Sequence, residues 1–162
     1  MSVEPIIQAL EKLIKLHEGL LDSASQKTEL IKEGSVDKLQ TLLVKEHKYV
    51  QALEQAEIKR QKAVEVWLEN QGITLSHATI TAILEILIDE QAKEDLENTV
   101  VKLTNTITQL KQQEQLNRDL IRQSLQFVEL SLDMMKPSLS HMNYGAKQTT
   151  DSPERSVFDS KV

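Results

Sequence analysis

Apolar residues recur at steps of three or four along most of the chain, a period that predicts amphipathic helices. The first stripe predicts a helix over about 5–32, with Pro5 in its first turn. This stripe has one longer gap, across Gln26–Thr28. Gly19 lies inside the helix and marks either a close helix contact or a tolerated surface glycine.

Glycines are expected to end the first two helices. Gly34 ends the first, and the apolar period then continues into a second helix over about 36–70, which Gly72 ends. An Ile- and Leu-rich segment predicts a short third helix over about 77–88. No proline interrupts the chain between the first and last of these segments, which favours helices throughout.

A long fourth helix is predicted over about 90–135, with Asp89 as its N-cap. Its apolar residues fit heptad a and d positions, which are typical of helices that pack side by side. Glu114 and Asn117 interrupt that seam, and they either fix the register of the packed helices or face solvent. Three long helices joined by short links predict an all-α fold: an elongated antiparallel three-helix bundle or coiled coil with a short extra helix.

The composition changes beyond Pro137, where Ser and Thr are frequent and strongly apolar residues are few. Such a segment cannot bury enough apolar surface to form a packed unit. We therefore predict one helical domain over 1–136 and a flexible, disordered tail over 137–162.

Charge and cysteine content narrow the classes of partner and compartment. The net charge of −6, from 25 acidic against 19 basic residues, disfavours nucleic acid and anionic membrane surfaces as partners. The absence of cysteine excludes disulfides and cysteine-ligated zinc and suits a reducing cytoplasm. The sequence has neither a basic start with an apolar run nor a stretch of about 18 apolar residues, so export by a signal peptide and membrane insertion are not expected.

The sequence has no pattern typical of a catalytic nucleophile, a metal site or a phosphate-binding loop. The four histidines are isolated from one another, and His17 is interpreted as a packed histidine at the seam of the first helix. The acidic residues from Asp89 to Asp95 are interpreted as favouring the helix dipole, since they lack the turn glycine of a calcium loop. We therefore expect no enzymatic activity, no cofactor and no metal.

The end of the fourth helix carries more apolar residues than one helix seam can bury. At about 100° per residue, Leu125, Val128 and Leu132 fall on one face, whereas Phe127 and Leu130 point well away from it. Self-association or contact with the short helix would cover the second face. The functional alternative is a docking surface for a helix of another protein.

The stretch from Asn117 to Leu132, NRDLIRQSLQFVELSL, resembles the C-terminal segment of the FlgN family of flagellar type III secretion chaperones. The resemblance extends to Tyr144–Gly145, to the closing residues Ser156–Val162 and to the order of a short helix before a long one. It implies a cytoplasmic chaperone that binds hook-filament junction proteins, also termed hook-associated proteins, keeps them unassembled and passes them to the flagellar export apparatus. It implies no ATP site.

The resemblance and the surplus apolar face together predict the residues that bind a partner. The family's substrate-binding region maps onto Asn117, Leu120, Ile121, Ser124, Leu125, Phe127, Val128, Leu130, Ser131 and Leu132. Two adaptable methionines and two aromatic residues near the end of the chain complete the set: Met134, Met135, Tyr144 and Phe158.

The predicted partners are hook-associated proteins, with components of the export apparatus as a second class. The chain itself is expected to be a monomer or a weak dimer. A purely structural coiled-coil homo-oligomer or a generic helical adaptor remains the alternative function.

Overall fold

The computed structural model describes residues 2–74 and 79–146, with side chains up to residue 136. Within those ranges the chain forms four α-helices and no strand, which confirms the predicted all-α class. The helices are α1 Glu4–Glu33, α2 Val36–Asn70, α3 Ile80–Ile86 and α4 Glu90–Ala146.

Both predicted glycine stops are confirmed. Gly34 and Gly72 adopt the left-handed backbone conformation, with φ of 70° and 73°. After α1, the N–H of Gly34 donates to the carbonyl of Ile31 at 3.2 Å, and the N–H of Ser35 donates to that of Leu30 at 3.1 Å. This pair of bonds satisfies carbonyls that the helix end leaves without partners. The equivalent pair of bonds closes α2 around Gly72.

The short helix α3 has fewer residues than predicted. It begins at Ile80, and the side chain of Thr79 caps it by accepting a hydrogen bond from the N–H of Ala82 at 3.2 Å. The helix ends because Leu87 has an extended backbone, with φ of −60° and ψ of 127°. The predicted start at residue 77 lies outside the described residues.

The start of α4 agrees with the prediction. Asp89 acts as the N-cap, since its carboxylate oxygen Oδ1 accepts a hydrogen bond from the N–H of Gln91 at 3.1 Å. The N–H of Ala92 donates to the same oxygen at 3.4 Å. These bonds satisfy two of the N–H groups that a helix start leaves without partners.

The predicted end of α4 at residue 135 is wrong, because the helix continues through Pro137 to Ala146. Proline removes one helix hydrogen bond, the one to the carbonyl of Asp133. Asp133 lies on an exposed part of the helix, where water can bind that carbonyl instead. The predicted disordered tail over 137–162 is therefore helical at its start, and its remaining residues, 147–162, lie outside those described.

The contacts between helices give their relative directions. Ser23 of α1 lies against Glu46 of α2, and Gly19 of α1 lies against Tyr49 of α2. Residue numbers therefore decrease along α1 in the direction in which they increase along α2. These two helices are therefore antiparallel. In contrast, α4 runs parallel to α1. Lys15 and Lys102 line one cavity, and further along both helices Lys27 contacts Glu114.

The hydrophobic core draws on all four helices. Ile6, Leu10, Val64, Ile83 and Leu96 are its most deeply buried large residues, each at most 2 % exposed. The contacts within the chain divide it into two units, Met1–Ile121 and Arg122–Val162. This boundary lies earlier in the chain than the predicted domain boundary, which follows residue 136. The core belongs to the first unit. No helix among the described residues is long and apolar enough to cross a membrane.

Candidate partner-binding surface

The part of α4 that belongs to the second unit exposes a run of large apolar side chains. Phe127 is 71 % exposed, and every other member of the run is more than half exposed. This run is termed the terminal apolar surface. It consists of Leu125, Phe127, Val128, Leu130, Leu132, Met134 and Met135.

The terminal apolar surface has two seams on opposite sides of the helix. At about 100° per residue, the first seam contains Leu125, Val128, Leu132 and Met135, and the second contains Phe127, Leu130 and Met134. On one side the seams are separated by small serines. On the other side a polar stripe, Arg122, Gln126, Glu129 and Asp133, divides them. The helix thus has two separate apolar seams, more than the single stripe of a helix that packs on one side only.

The remaining predicted partner-binding residues have different positions. Leu120 is half-buried and Ile121 is 44 % exposed, and both belong to the first unit. Ser124 is exposed and Ser131 is half-buried, between the two seams. Tyr144 lies in the helical backbone of α4. The other aromatic residue predicted near the end of the chain, Phe158, lies outside the described residues.

Asn117 does not lie on a surface, which corrects its prediction as a partner-binding residue. It is 1 % exposed. Its side-chain nitrogen Nδ2 donates to the carbonyl of Ala24 at 2.9 Å, and its oxygen Oδ1 accepts a hydrogen bond from the hydroxyl of Thr28. Buried amides require such partners, so Asn117 holds α4 against α1.

Asn117 belongs to a buried polar cluster that joins α1, α2 and α4. Nζ of Lys27 lies 2.9 Å from Oε1 of Glu46 on α2 and 3.2 Å from Oε1 of Glu114 on α4. Ser23 also donates to Glu46, at 3.4 Å. Of the two alternatives for Glu114 and Asn117, the structure supports contact with the packed helices. The members of the buried polar cluster are Ser23, Lys27, Thr28, Glu46, Gln113, Glu114 and Asn117.

The electrostatics of the cluster centre on one ammonium group between two carboxylates. Burial acts to lower the pKa of Lys27, but the hydrogen bonds and charges of Glu46 and Glu114 outweigh burial, and the pKa is raised. The ammonium therefore stays charged, and it offsets the repulsion between the two carboxylates. Among the described residues, no buried side-chain polar atom lacks a hydrogen-bond partner.

The predicted seam histidine, His17, is half-buried, and its Nδ1 donates to the carbonyl of Leu13 at 2.7 Å. Near it, Arg60 donates two hydrogen bonds to Glu57, at 2.9 and 2.6 Å. The hydrogen bond from Arg60 is the main reason that the pKa of Glu57 is lowered. No group of three metal-ligating side chains occurs in the parts of the chain that the structure describes.

Comparison with known proteins adds two matches. The model of a protein family described as "FlgN protein" matches residues 1–152 of this chain. A curated relative from Bacillus subtilis (strain 168), named "Uncharacterized protein YvyG", is 35 % identical over 165 residues, covering all of both chains. No solved structure matches the chain. The matched region contains both the buried polar cluster and the terminal apolar surface.

Proposed function

The chain belongs to the FlgN family, and from that premise we propose that it is a chaperone for flagellar export. It binds hook-filament junction proteins in the cytoplasm and prevents their premature assembly or aggregation. It then delivers them to the flagellar type III secretion apparatus, whose components form a second class of partner. The proposal includes no catalytic step, cofactor or metal ion.

The exposure of the terminal apolar surface is the observation that carries the proposal. Exposed apolar area costs roughly 25 cal/mol per Å² relative to burial, so seven large side chains in water favour association strongly. Each seam has the spacing that an amphipathic partner helix requires, with anchors three or four residues apart. We infer that a helical segment of the client lies along at least one seam.

The arrangement suits a client that would otherwise assemble too early. A client segment that lies on the terminal apolar surface has its own apolar residues covered and unavailable for assembly. The net charge of −6 then helps the complex to stay soluble, because like-charged complexes repel one another. Met134 and Met135 allow the surface to fit more than one client, since their side chains are flexible and polarizable.

In this proposal the rest of the chain is the scaffold for the terminal apolar surface. We propose that α1, α2 and α4 form the elongated three-helix bundle expected from the sequence. The antiparallel contacts of α1 with α2 and the parallel contacts of α1 with α4 support it. Leu120, Ile121 and the two serines are included as further client contacts. The roles of Tyr144 and Phe158 stay predictions from the sequence.

Size-exclusion chromatography with light scattering tests the function. The purified chain alone is expected to elute as a monomer or weak dimer, and a purified hook-filament junction protein should shift it into a complex of fixed stoichiometry. A stable homo-oligomer that does not bind any hook-filament junction protein would instead support the structural coiled-coil alternative. Excess monomeric serum albumin serves as the control for nonspecific apolar association.

A further inference from the structure

We propose that the groove between α1 and α2 is a second docking surface, which binds an acidic helical segment of another protein. All of its residues belong to the first unit, and none belongs to the terminal apolar surface. The proposal therefore does not rest on the chaperone function. Two features carry it: an apolar cavity at one end of the groove and lysines without ion pairs along its edges.

The apolar cavity lies between the start of α1 and the last third of α2 and has a volume of about 290 Å³. Ile6 and Trp67 form its floor, at 0 % and 5 % exposed, whereas Val66 is 44 % exposed. A cavity of about 150 Å³ holds a benzene ring, so this one has room for a large apolar side chain. No residue of α3 or α4 lines it, and the full lining is Ser2, Pro5, Ile6, Lys59, Lys62, Ala63, Val66 and Trp67.

Lysines occupy the face of α2 that leads to this cavity. At about 100° per residue, three other lysines of α2 lie within about 60° of Lys59 around the helix axis. The sequence between Lys45 and Val66 places no acidic residue in that sector. All four lysines are exposed, and none forms an ion pair with a residue that the structure describes. This basic face consists of Lys45, Lys48, Lys59 and Lys62.

Lys12 of α1 adds a positive charge on the other edge of the groove. Gly19 lies opposite Tyr49, and the two helices are antiparallel. Lys12, about two turns before Gly19, is therefore level with Ala56, between Lys48 and Lys59 along α2. It lies on the same side of α1 as the cavity-lining Pro5, about two turns away, and it is exposed. Positive charge thus borders both edges of one groove in a chain whose net charge is −6.

An acidic amphipathic helix fits both features of the groove. Two antiparallel helices present a furrow along which a third helix can pack. Carboxylates three or four residues apart on that helix can meet lysines on both edges, and one apolar side chain enters the cavity and covers Val66. The lysines attract such a segment before contact, and the apolar side chain then provides the anchor.

Polyanions other than proteins fit the surface less well. The phosphate backbone of a nucleic acid would match the lysines but has no apolar side chain for the cavity. Trp67 is only 5 % exposed and offers little ring surface for base stacking. The net charge of −6 also repels nucleic acids and anionic membranes at longer range.

Selection from a displayed library of random helical peptides tests the chemistry of the partner on the full chain. The enriched peptides should carry Asp or Glu at steps of three or four residues together with one large apolar residue. Synthetic copies of these peptides then serve as probes, and fluorescence anisotropy measures their affinity. Enrichment of neutral or basic peptides, or of none that requires the basic face, would overturn the proposal.

Charge reversal shows whether a peptide requires the basic face. Lys59→Glu with Lys62→Glu should weaken binding at least about tenfold, because attraction becomes repulsion. The control is Lys102→Glu with Lys111→Glu on α4, which changes the net charge equally at exposed lysines and should alter affinity less than about twofold. Equal weakening in both variants would show attraction to the overall charge and would contradict a site in the groove.

The apolar anchor has its own matched pair of variants. Val66→Ser should weaken peptide binding about three- to tenfold, because it removes apolar area that the peptide covers. Val36→Ser changes another exposed valine of α2, at 62 % exposed, and should leave affinity unchanged. The effect of Val66→Ser should persist at high salt, whereas that of the lysines should shrink. Unchanged affinity in Val66→Ser, with helicity intact by circular dichroism, would contradict the anchor.

Two further measurements distinguish other occupants of the groove. Single-stranded DNA, and phosphatidylcholine vesicles that contain phosphatidylserine, should not bind the native chain at physiological salt. Binding of either that is lost in Lys59→Glu with Lys62→Glu would assign the basic face to that polyanion and overturn the proposal. Light scattering should give the same mass for the native chain and this variant. A dimer that dissociates in the variant would identify a second copy as the occupant, which would also overturn it.

Discussion

The ring of Tyr49 on α2 fills the space that a side chain at Gly19 on α1 would need. A β-carbon at Gly19 would lie 2.5 Å from Cε1 of Tyr49 and 2.9 Å from its hydroxyl oxygen. Carbon atoms in contact prefer about 3.5–4.0 Å, so these positions are too close. Gly19 therefore marks a close contact between α1 and α2, which settles the alternatives that the sequence left open.

Replacement of Gly19 tests this contact. Gly19→Ala should lower the free energy of unfolding by about 1 kcal/mol, because the cost of overpacking exceeds the helix propensity gained from alanine. In the Tyr49→Ala background the same change should instead raise it by about 0.5–1 kcal/mol. Urea denaturation of the four proteins measures both effects. Stabilisation by Gly19→Ala in the presence of Tyr49 would show that the ring moves aside freely.

Asn117 should matter for stability more than for any partner. Asn117→Ala removes the bonds to Ala24 and Thr28, and it should lower the free energy of unfolding by about 1–3 kcal/mol because it disrupts a buried hydrogen-bonded pair. The control is Gln115→Ala on the same helix, whose hydrogen bond to Asp119 is exposed and should contribute less than about 0.5 kcal/mol. Equal losses in the two variants would contradict the structural role of Asn117.

The ammonium of Lys27 should stabilise the fold over most of the pH range. Lys27→Met leaves Glu46 beside Glu114 with no cation between them and should lower the free energy of unfolding by about 1–3 kcal/mol at pH 7. Lys32→Met, which removes an exposed pair with Glu29, should cost less than about 0.5 kcal/mol.

The contribution of Lys27 to the stability of the fold should decrease at strongly alkaline pH. Because its pKa is raised in the folded state, its contribution is present below the usual value of 10.5 and is lost as the pH rises through the raised pKa. The difference in stability between the native chain and Lys27→Met should therefore shrink at strongly alkaline pH. Chemical denaturation at a series of pH values measures it, and a difference that grows with pH would be inconsistent with the raised pKa.

Glu57 should give the opposite pH dependence. Its pKa is lowered chiefly by Arg60, so its contribution is present above the usual value of 4.5 and is lost as the pH falls through the lowered pKa. Glu57→Gln should cost less than about 1 kcal/mol at pH 7, since the pair is partly exposed, and the difference should vanish in acid. Arg60→Gln should remove the same acid dependence. Denaturation curves from neutral to acid pH measure the difference in stability between the native chain and Glu57→Gln. A difference that persists in acid would contradict the lowered pKa of Glu57.

The ends of α1 and α2 were predictable because local chemistry decides them. Gly34 and Gly72 adopt a left-handed conformation that few other residues tolerate, and each helix ends there whatever packs beside it. The end of α4 was not predictable from Pro137. The rule that proline ends helices assumes that the lost hydrogen bond is costly, and on an exposed helix water can replace it.

Only part of the buried polar cluster could be predicted from the sequence. Its sequence signals are the gap in the first apolar stripe at Gln26–Thr28 and the interruption of the fourth helix by Glu114 and Asn117. Each signal is local, whereas the bond between Asn117 and Ala24 joins positions far apart in the chain. Which polar residues meet depends on the register of three helices, and a single stripe does not specify that register. Asn117 was predicted to bind a partner on a different ground, because it lies in the stretch that resembles the family's substrate-binding region.

The terminal apolar surface, in contrast, follows from the sequence because its members lie on one helix. Their angular positions depend only on helix geometry, and all seven are exposed. Their exposure is the central premise of the proposed function. A matched comparison can separate a specific surface from general apolar stickiness, because α2 also exposes large apolar residues, among them Val44 at 62 % and Ile58 at 65 %.

Calorimetric titration of a purified hook-filament junction protein into three forms of the chain tests the central claim most directly. The forms are the native chain, the variant with Phe127→Ser and Leu130→Ser, and the control with Val44→Ser and Ile58→Ser. We predict unchanged helicity by circular dichroism in all three, with binding weakened at least about tenfold in the first variant alone, since central apolar anchors carry most of the association energy. Equal affinity in all three forms, or equal weakening in both variants, would contradict the account.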